Sequence, residues 1–229
     1  MIPLKDDNPT SKRPIVTIVL IVINCLIFLY EISLGGRGFA EFTAKYGLIP
    51  AELIQGKIVY WEHTPPVMDI FTSMFMHGGF LHLGGNMLYL WIFGDNIEDM
   101  LGHIKFLIFY LLCGIVAALS FAFIEPDSAI PMVGASGAIS GILGAYMVRF
   151  PTARVYTLIW FFFFLRIIAL PAIFILGFWF ILQVINGSSA IAYSNMGGVA
   201  WFAHIGGFAF GALVFLIFGF RSRRRKYYV

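Results

Sequence analysis

Charge is scarce in this chain. Of its 229 residues only 12% are Asp, Glu, Lys or Arg, while 60% are hydrophobic. An average globular domain is about a quarter charged. A soluble fold with half that complement could not cover its surface with polar side chains. The shortage excludes a disordered chain, a soluble enzyme and a free nucleic-acid binder. Cysteine is scarce too. Cys25 and Cys113 both lie in apolar runs, so no disulfide framework is expected. Metal signatures are also missing. There is no HExxH, and no Cys or carboxylate stands at ligand spacing beside His77 and His82. Neither a metal nor a cofactor is expected.

What is present is apolar sequence in long runs. A helical membrane span takes roughly 20 apolar residues. Six apolar runs are read as spans: about Ile15–Leu34, Leu81–Met100, Phe106–Ile124, Ser136–Val148, Val155–Ile185 and Val199–Phe220, the fourth short and rich in Gly and Ala. The first lacks the short apolar core and small-residue cleavage site of a secretory signal, and reads as an uncleaved span. The fifth is too long for one upright span. Arg166 and Pro171 divide it into an interfacial or tilted segment and a main span over Pro171–Ile185. The fold class expected is an all-α integral membrane protein of six spanning helices. Residues 1–14 form a cytoplasmic segment, 15–220 the membrane domain and 221–229 a basic cytoplasmic tail. The loop over 35–80 carries Phe42, Tyr46, Tyr60 and Trp61, a composition suited to the membrane surface. No appended soluble domain is expected.

Six spans place both termini on one side. With the termini inside, Lys5, Lys12, Arg13, Lys105, Arg149, Arg154 and the five basic tail residues are cytoplasmic. Only Arg37, Lys45 and Lys57 are outside, and Arg166 is unassigned. That bias is the positive-inside pattern.

Polar residues within spans are costly and mark function by default. In this topology the second, fourth and sixth runs all start at the outer face. His82 and Asn86 lie one turn apart at the start of the second, Ser136 opens the fourth, and His204 lies just inside the sixth. All four fall at similar depth by helical rise. The fourth run carries Gly134, Gly137, Gly141 and Gly144, and the sixth carries Gly207 and Gly211. Such small-residue faces let membrane helices pack with close backbones. Ser136 and His204 thereby come within reach. A serine hydroxyl needs an adjacent base to act as a nucleophile, and histidine titrates in the right range. No Asp or Glu lies near His204 in sequence, so a Ser-His dyad is expected. Asn86, His82 and the Ser136 backbone N–H are candidate donors to an oxyanion. Gly134 and Gly137 would let a substrate backbone approach.

These residues resemble the rhomboid family. Phe75-Met-His-Gly-Gly-Phe-Leu-His-Leu-Gly-Gly-Asn86 is similar to its second helix, with a His-x-x-x-Asn pattern. Gly134-Ala-Ser-Gly137 resembles its nucleophile motif, and Ala203-His-Ile-Gly-Gly-x-x-x-Gly211 its base helix. Glu98 near Gly102 and His103 also fits. The matches run from about Thr72 to Gly211 in the family's order. The resemblance implies an intramembrane serine protease of the basic six-helix form. Ser136 would be the nucleophile, His204 the base, His82 and Asn86 the oxyanion support, and His77 an organiser of the site. The fifth span and the loop after it would admit a substrate helix. Two positions depart from the pattern. Met68 and Asp69 stand where many members carry Trp-Arg, and Ser140 stands where some carry a tyrosine that stacks on the base. The expected partners are the lipid bilayer and single-span membrane proteins, cleaved near the outer face. The short termini suit a prokaryotic plasma membrane. A non-catalytic rhomboid-like client binder is the alternative; such proteins lack the Ser or the His, and both are present. A transporter would place acids near the midplane, whereas Asp95, Glu98 and Asp99 fall at a helix end.

Overall fold

The computed structural model describes residues 1–60, 64–161, 164–192 and 199–219. Trp61 with residues 62–63, residues 193–198 ahead of the sixth run, Phe220 and the basic tail 221–229 lie outside the described residues. The long helices are α1 (Ile15–Ser33), α5 (Phe80–Leu101), α6 (His103–Ile124), α7 (Ser136–Arg149), α8 (Ala172–Ala192) and α9 (Trp201–Phe218). Four of them, α1, α6, α8 and α9, are long and apolar enough to cross a membrane. The membrane fold is helical, as the apolar runs imply.

The helix surfaces are apolar, unlike those of a soluble bundle. On α1 the exposed residues include Ile18, Val22, Leu26 and Leu29, while the buried stripe carries Thr17, Asn24 and Glu31. Apolar side chains face outward, and the polar ones are kept inside. Helix α7 is the axis of the bundle, with every residue from Gly137 to Tyr146 buried.

Glycine sets how closely α7 and α9 approach. A Cβ added at Gly144 would collide with the Phe208 carbonyl, and one at Gly211 with the Gly141 carbonyl. Gly207 meets the Gly137 carbonyl in the same way. On the other side of α7, Gly141 accommodates the Cys113 side chain of α6. Lipid gives helices no hydrophobic reason to associate, so this contact rests on backbone packing.

The fifth run departs from the expected interfacial or tilted segment. Its first part is a β-hairpin, β2 (Arg154–Phe161) and β3 (Phe164–Pro171), paired from Arg154↔Pro171 to Phe161↔Phe164. Strand β1 (Ile2–Asp6), from the polar N-terminal segment, pairs antiparallel with β2 and completes a three-stranded sheet. Val155, Tyr156, Ile159 and Trp160 are β-branched or aromatic and suit strand. A continuous apolar run carries no periodicity to reveal it. The sheet sits beside the C-terminal ends of α5 and α7. Tyr146 donates its hydroxyl proton to the Asp6 carboxylate. Strand β3 passes into α8 without a loop, and the first α8 amides donate back to the 150–153 turn, Ala172 to Ala153 O at 2.8 Å and Ile173 to Pro151 O at 3.0 Å.

Glu98 closes the same end of the bundle. Its carboxylate accepts from the Val16 and Thr17 amides, both at 2.8 Å, from the Thr17 hydroxyl at 2.7 Å, and pairs with His103 at 2.5 Å. These amides belong to the first turn of α1, where no intrahelical partner exists and negative charge is favoured. At the opposite end, the 35–80 segment folds into α2 (Gly35–Tyr46), α3 (Pro50–Gln55), α4 (Pro66–Thr72) and a single 3-10 turn over Ser73–Phe75. Asp69 is buried and accepts from the Thr64 hydroxyl, while Met68 is exposed.

Two measurements check this packing. Gly144→Val and Gly211→Val are each expected to cost about 1–3 kcal/mol of unfolding free energy in detergent. Gly177→Ala, which meets open space on α8, should leave it unchanged or slightly raised. Burial raises the Asp6 carboxyl from 3.8 to about 6, with the Tyr146 hydrogen bond opposing and the Asp95 charge adding. The folded protein therefore holds this proton more tightly than the unfolded chain. Stability should fall as pH rises from about 4 to 6 and then level off. Asp6→Asn should flatten that segment of the pH–stability curve.

Candidate active site

Ser136 is the first residue of α7, and His204 lies on the first turn of α9. Because the glycine faces bring the two backbones together, their side chains meet: His204 Nε2 and Ser136 Oγ are 2.8 Å apart. Ser136 stands where α7 begins, so the backbone amides there have no intrahelical partner and are available as donors.

His82 and Asn86 come from the first two turns of α5. Gly134, at φ +132°, lets the chain turn into α7 directly beside the His82 ring. A Cβ there would lie 2.8 Å from His82 Nε2 and would also occupy a backbone region that L side chains rarely adopt. The Gly78 amide donates to His82 Nδ1 at 3.4 Å. Nδ1 is then the acceptor, and Nε2, on the Gly134 side, carries the proton. Asn86 is buried, and its Nδ2 donates one hydrogen to His77 Nε2 at 2.9 Å. The second amide hydrogen remains for the cavity. His77 is fully buried beneath His82, the rings 5.1 Å apart and edge-on. Its backbone N–H donates to the buried Glu31 carboxylate of α1 at 3.2 Å.

Ser136, His204, His82, Asn86 and Gly134 line one cavity of about 1370 Å³. It reaches the protein surface at the exposed Asp127 of the α6–α7 link. Water and polar main chain can both be accommodated there. Gly137 faces Ala117 and Ala203 beneath the pair, and Gly141, Gly144, Gly207 and Gly211 serve the helix contact below it. The predicted site residues thus fall into two groups, a polar cluster at the N-terminal ends of α5, α7 and α9 and a packing seam under it. His103 is engaged with Glu98 at the other end of the bundle.

Two side chains that sequence reasoning missed complete the surroundings of His204. Ser140 does not reach it, since its hydroxyl is turned back to Ser136 O at 2.6 Å. Gln183 of α8 does, with Oε1 2.8 Å from His204 Nδ1. Trp179, one turn earlier, packs its ring 5.8 Å from the imidazole. The available signal was Gln183 itself, an amide in an otherwise apolar stretch four residues after a tryptophan.

A serine hydroxyl on a histidine nitrogen, set among helices apolar enough to span a bilayer, defines the class: an integral, multi-pass membrane protein with a serine–histidine pair. The chain belongs to the rhomboid family, matching the Rhomboid domain over residues 64–221. It is 36% identical over 120 residues to Rhomboid protein 1, mitochondrial, of Saccharomyces cerevisiae, covering 50% of this chain and 32% of the yeast protein. It is 36% identical over 140 residues to the rhomboid protease GluP of Bacillus subtilis, covering 60% of this chain and 25% of that protein. It is 37% identical over 78 residues to the putative rhomboid protease YdcA of the same bacterium, covering 34% of this chain and 39% of that protein. The chain spans well under two thirds of the length of each relative.

Proposed function

We propose that this protein is an intramembrane serine endopeptidase that cleaves single-span membrane proteins near the outer membrane face. The observation that carries the reading is the 2.8 Å contact between Ser136 Oγ and His204 Nε2 at the floor of a cavity that reaches the surface. Ser136 Oγ attacks the scissile carbonyl as His204 Nε2 takes its proton. The oxyanion is met by Nε2–H of His82, the free N–H of Asn86 and the backbone N–H groups at the start of α7. His204 then protonates the leaving amine. A water from the cavity attacks the acyl-enzyme, giving its proton to His204, and the acid is released from Ser136.

All six long helices cross the membrane in this reading, with α7 enclosed by α5, α6, α8 and α9. The termini are cytoplasmic, and Arg166 on β3 joins the inner basic set, because the hairpin shares an end with the N-terminus. Residues 1–14, 15–220 and 221–229 are the cytoplasmic segment, membrane domain and cytoplasmic tail, and the plasma membrane is prokaryotic. Substrate helices that contain helix-breaking residues are favoured, because intact helical hydrogen bonds hide the carbonyls. The non-catalytic alternative offers no reason for a hydroxyl to be held on an imidazole nitrogen.

The test is cleavage of a tagged single-span model substrate in proteoliposomes. Ser136→Ala should abolish cleavage. Asn86→Ala should lower kcat roughly 10²-fold, the usual scale for one oxyanion donor. Undiminished cleavage by Ser136→Ala would overturn the reading.

A further inference from the structure

We propose that Gln183 is the third member of the catalytic arrangement, a positioning residue that fixes the tautomer and orientation of His204. The inference rests on the protease reading above and assigns a role that the Ser-His dyad leaves open.

The hydrogen bonds determine the direction of each proton. Gln183 Nε2 donates to the Trp179 carbonyl one turn earlier at 3.2 Å. That bond turns Oε1 toward α9, where it lies 2.8 Å from His204 Nδ1. A carbonyl oxygen only accepts, so Nδ1 must carry the proton. The lone pair is then on Nε2, the atom that faces Ser136 Oγ. With the opposite tautomer, Nε2–H would point at the hydroxyl and could not take its proton. Gln183 is buried, so the bond competes little with water. Trp179 covers the imidazole ring and lines the cavity. Residues 179 and 183 together do from α8 what neither Ser140 nor any nearby carboxylate does.

An amide differs from the carboxylate usual at such a position. It orients the ring without a negative charge, so it costs less to bury beside lipid and does not favour the imidazolium. Among the described residues the titratable group facing His204 is His82 of α5. Among the described residues, the side chains that touch it from α7 and α8 are Ser136, Trp179 and Gln183, all uncharged, and α6 packs on α9 through Ala117, Ser120, Phe121 and Phe109, also uncharged.

The placement on α8 has a consequence. Ser136 and His204 sit on helices locked backbone to backbone. Helix α8 meets α9 through side chains, among them the Phe180–Phe208 stack at 4.5 Å. A shift of α8 can break the Gln183–His204 bond while leaving the dyad in contact. The competence of the base then depends on the seating of α8.

The experiment compares wild type, Gln183→Leu, Gln183→Glu and Ser136→Ala on one tagged single-span substrate in proteoliposomes. It adds ¹⁵N NMR of the His204 ring and thermal unfolding of each variant. Gln183→Leu should lower kcat about tenfold, the worth of one hydrogen bond, with KM little changed, and should give a mixed-tautomer ring spectrum. Gln183→Glu should restore most of kcat, and its carboxylate should move the acid limb of the pH profile upward. Wild-type kcat and ring spectrum in Gln183→Leu would overturn the proposal. Equal losses in the Leu and Glu variants, tracking lower melting temperatures, would also overturn it. Ser136→Ala separates the two ideas. Full activity there defeats the protease reading itself, whereas an inactive Ser136→Ala beside a fully active Gln183→Leu defeats only the role of Gln183.

Discussion

The contact between α7 and α9 is the constraint on which the rest of the molecule depends. In lipid, two apolar helices gain nothing by hiding their side chains from one another. They associate here because Gly144, Gly207 and Gly211 let main chain meet main chain, at distances that any side chain would prevent. That seam delivers Ser136 and His204 to the same end of the bundle. Helices α5, α6 and α8 build the walls around it, α6 through Cys113 against Gly141 and α5 through His82 against Gly134.

Polar groups in this environment need partners, and the pattern of satisfaction explains their positions. At the end of the bundle where α1 begins, Glu98 gathers the first amides of α1 and the His103 ring, and Tyr146 meets Asp6. At the opposite end, Glu31 holds the His77 amide, the His77 ring holds Asn86, and Gln183 holds His204. Asn86, His82 and His204 are thus each held by a neighbour from another segment, the loop before α5 or helix α8, and all three line the cavity.

Much of this was legible in the sequence. The apolar runs mark the long helices closely, because length and composition are the strongest signals a membrane chain offers. Ser136, His204, His82 and Asn86 stood out because so few hydrophilic residues interrupt those runs. The hairpin was hidden for the converse reason. Val155–Leu170 is apolar almost throughout, so neither a period of two nor one of 3.6 shows. Its partner strand lies in a polar segment some 150 residues away, and no local rule joins them. Gln183 was overlooked because its meaning is tertiary. Only when α8 is docked beside α9 does a lone amide become the partner of His204.

The central claim is that His204 activates Ser136 within the membrane. It is tested most directly by treating the protein in bilayers with a serine-reactive phosphonate and mapping the adduct by mass spectrometry. The account predicts one stoichiometric adduct, on Ser136, formed much more slowly in His204→Ala. An adduct elsewhere, or equal labelling of Ser136 without His204, would contradict it.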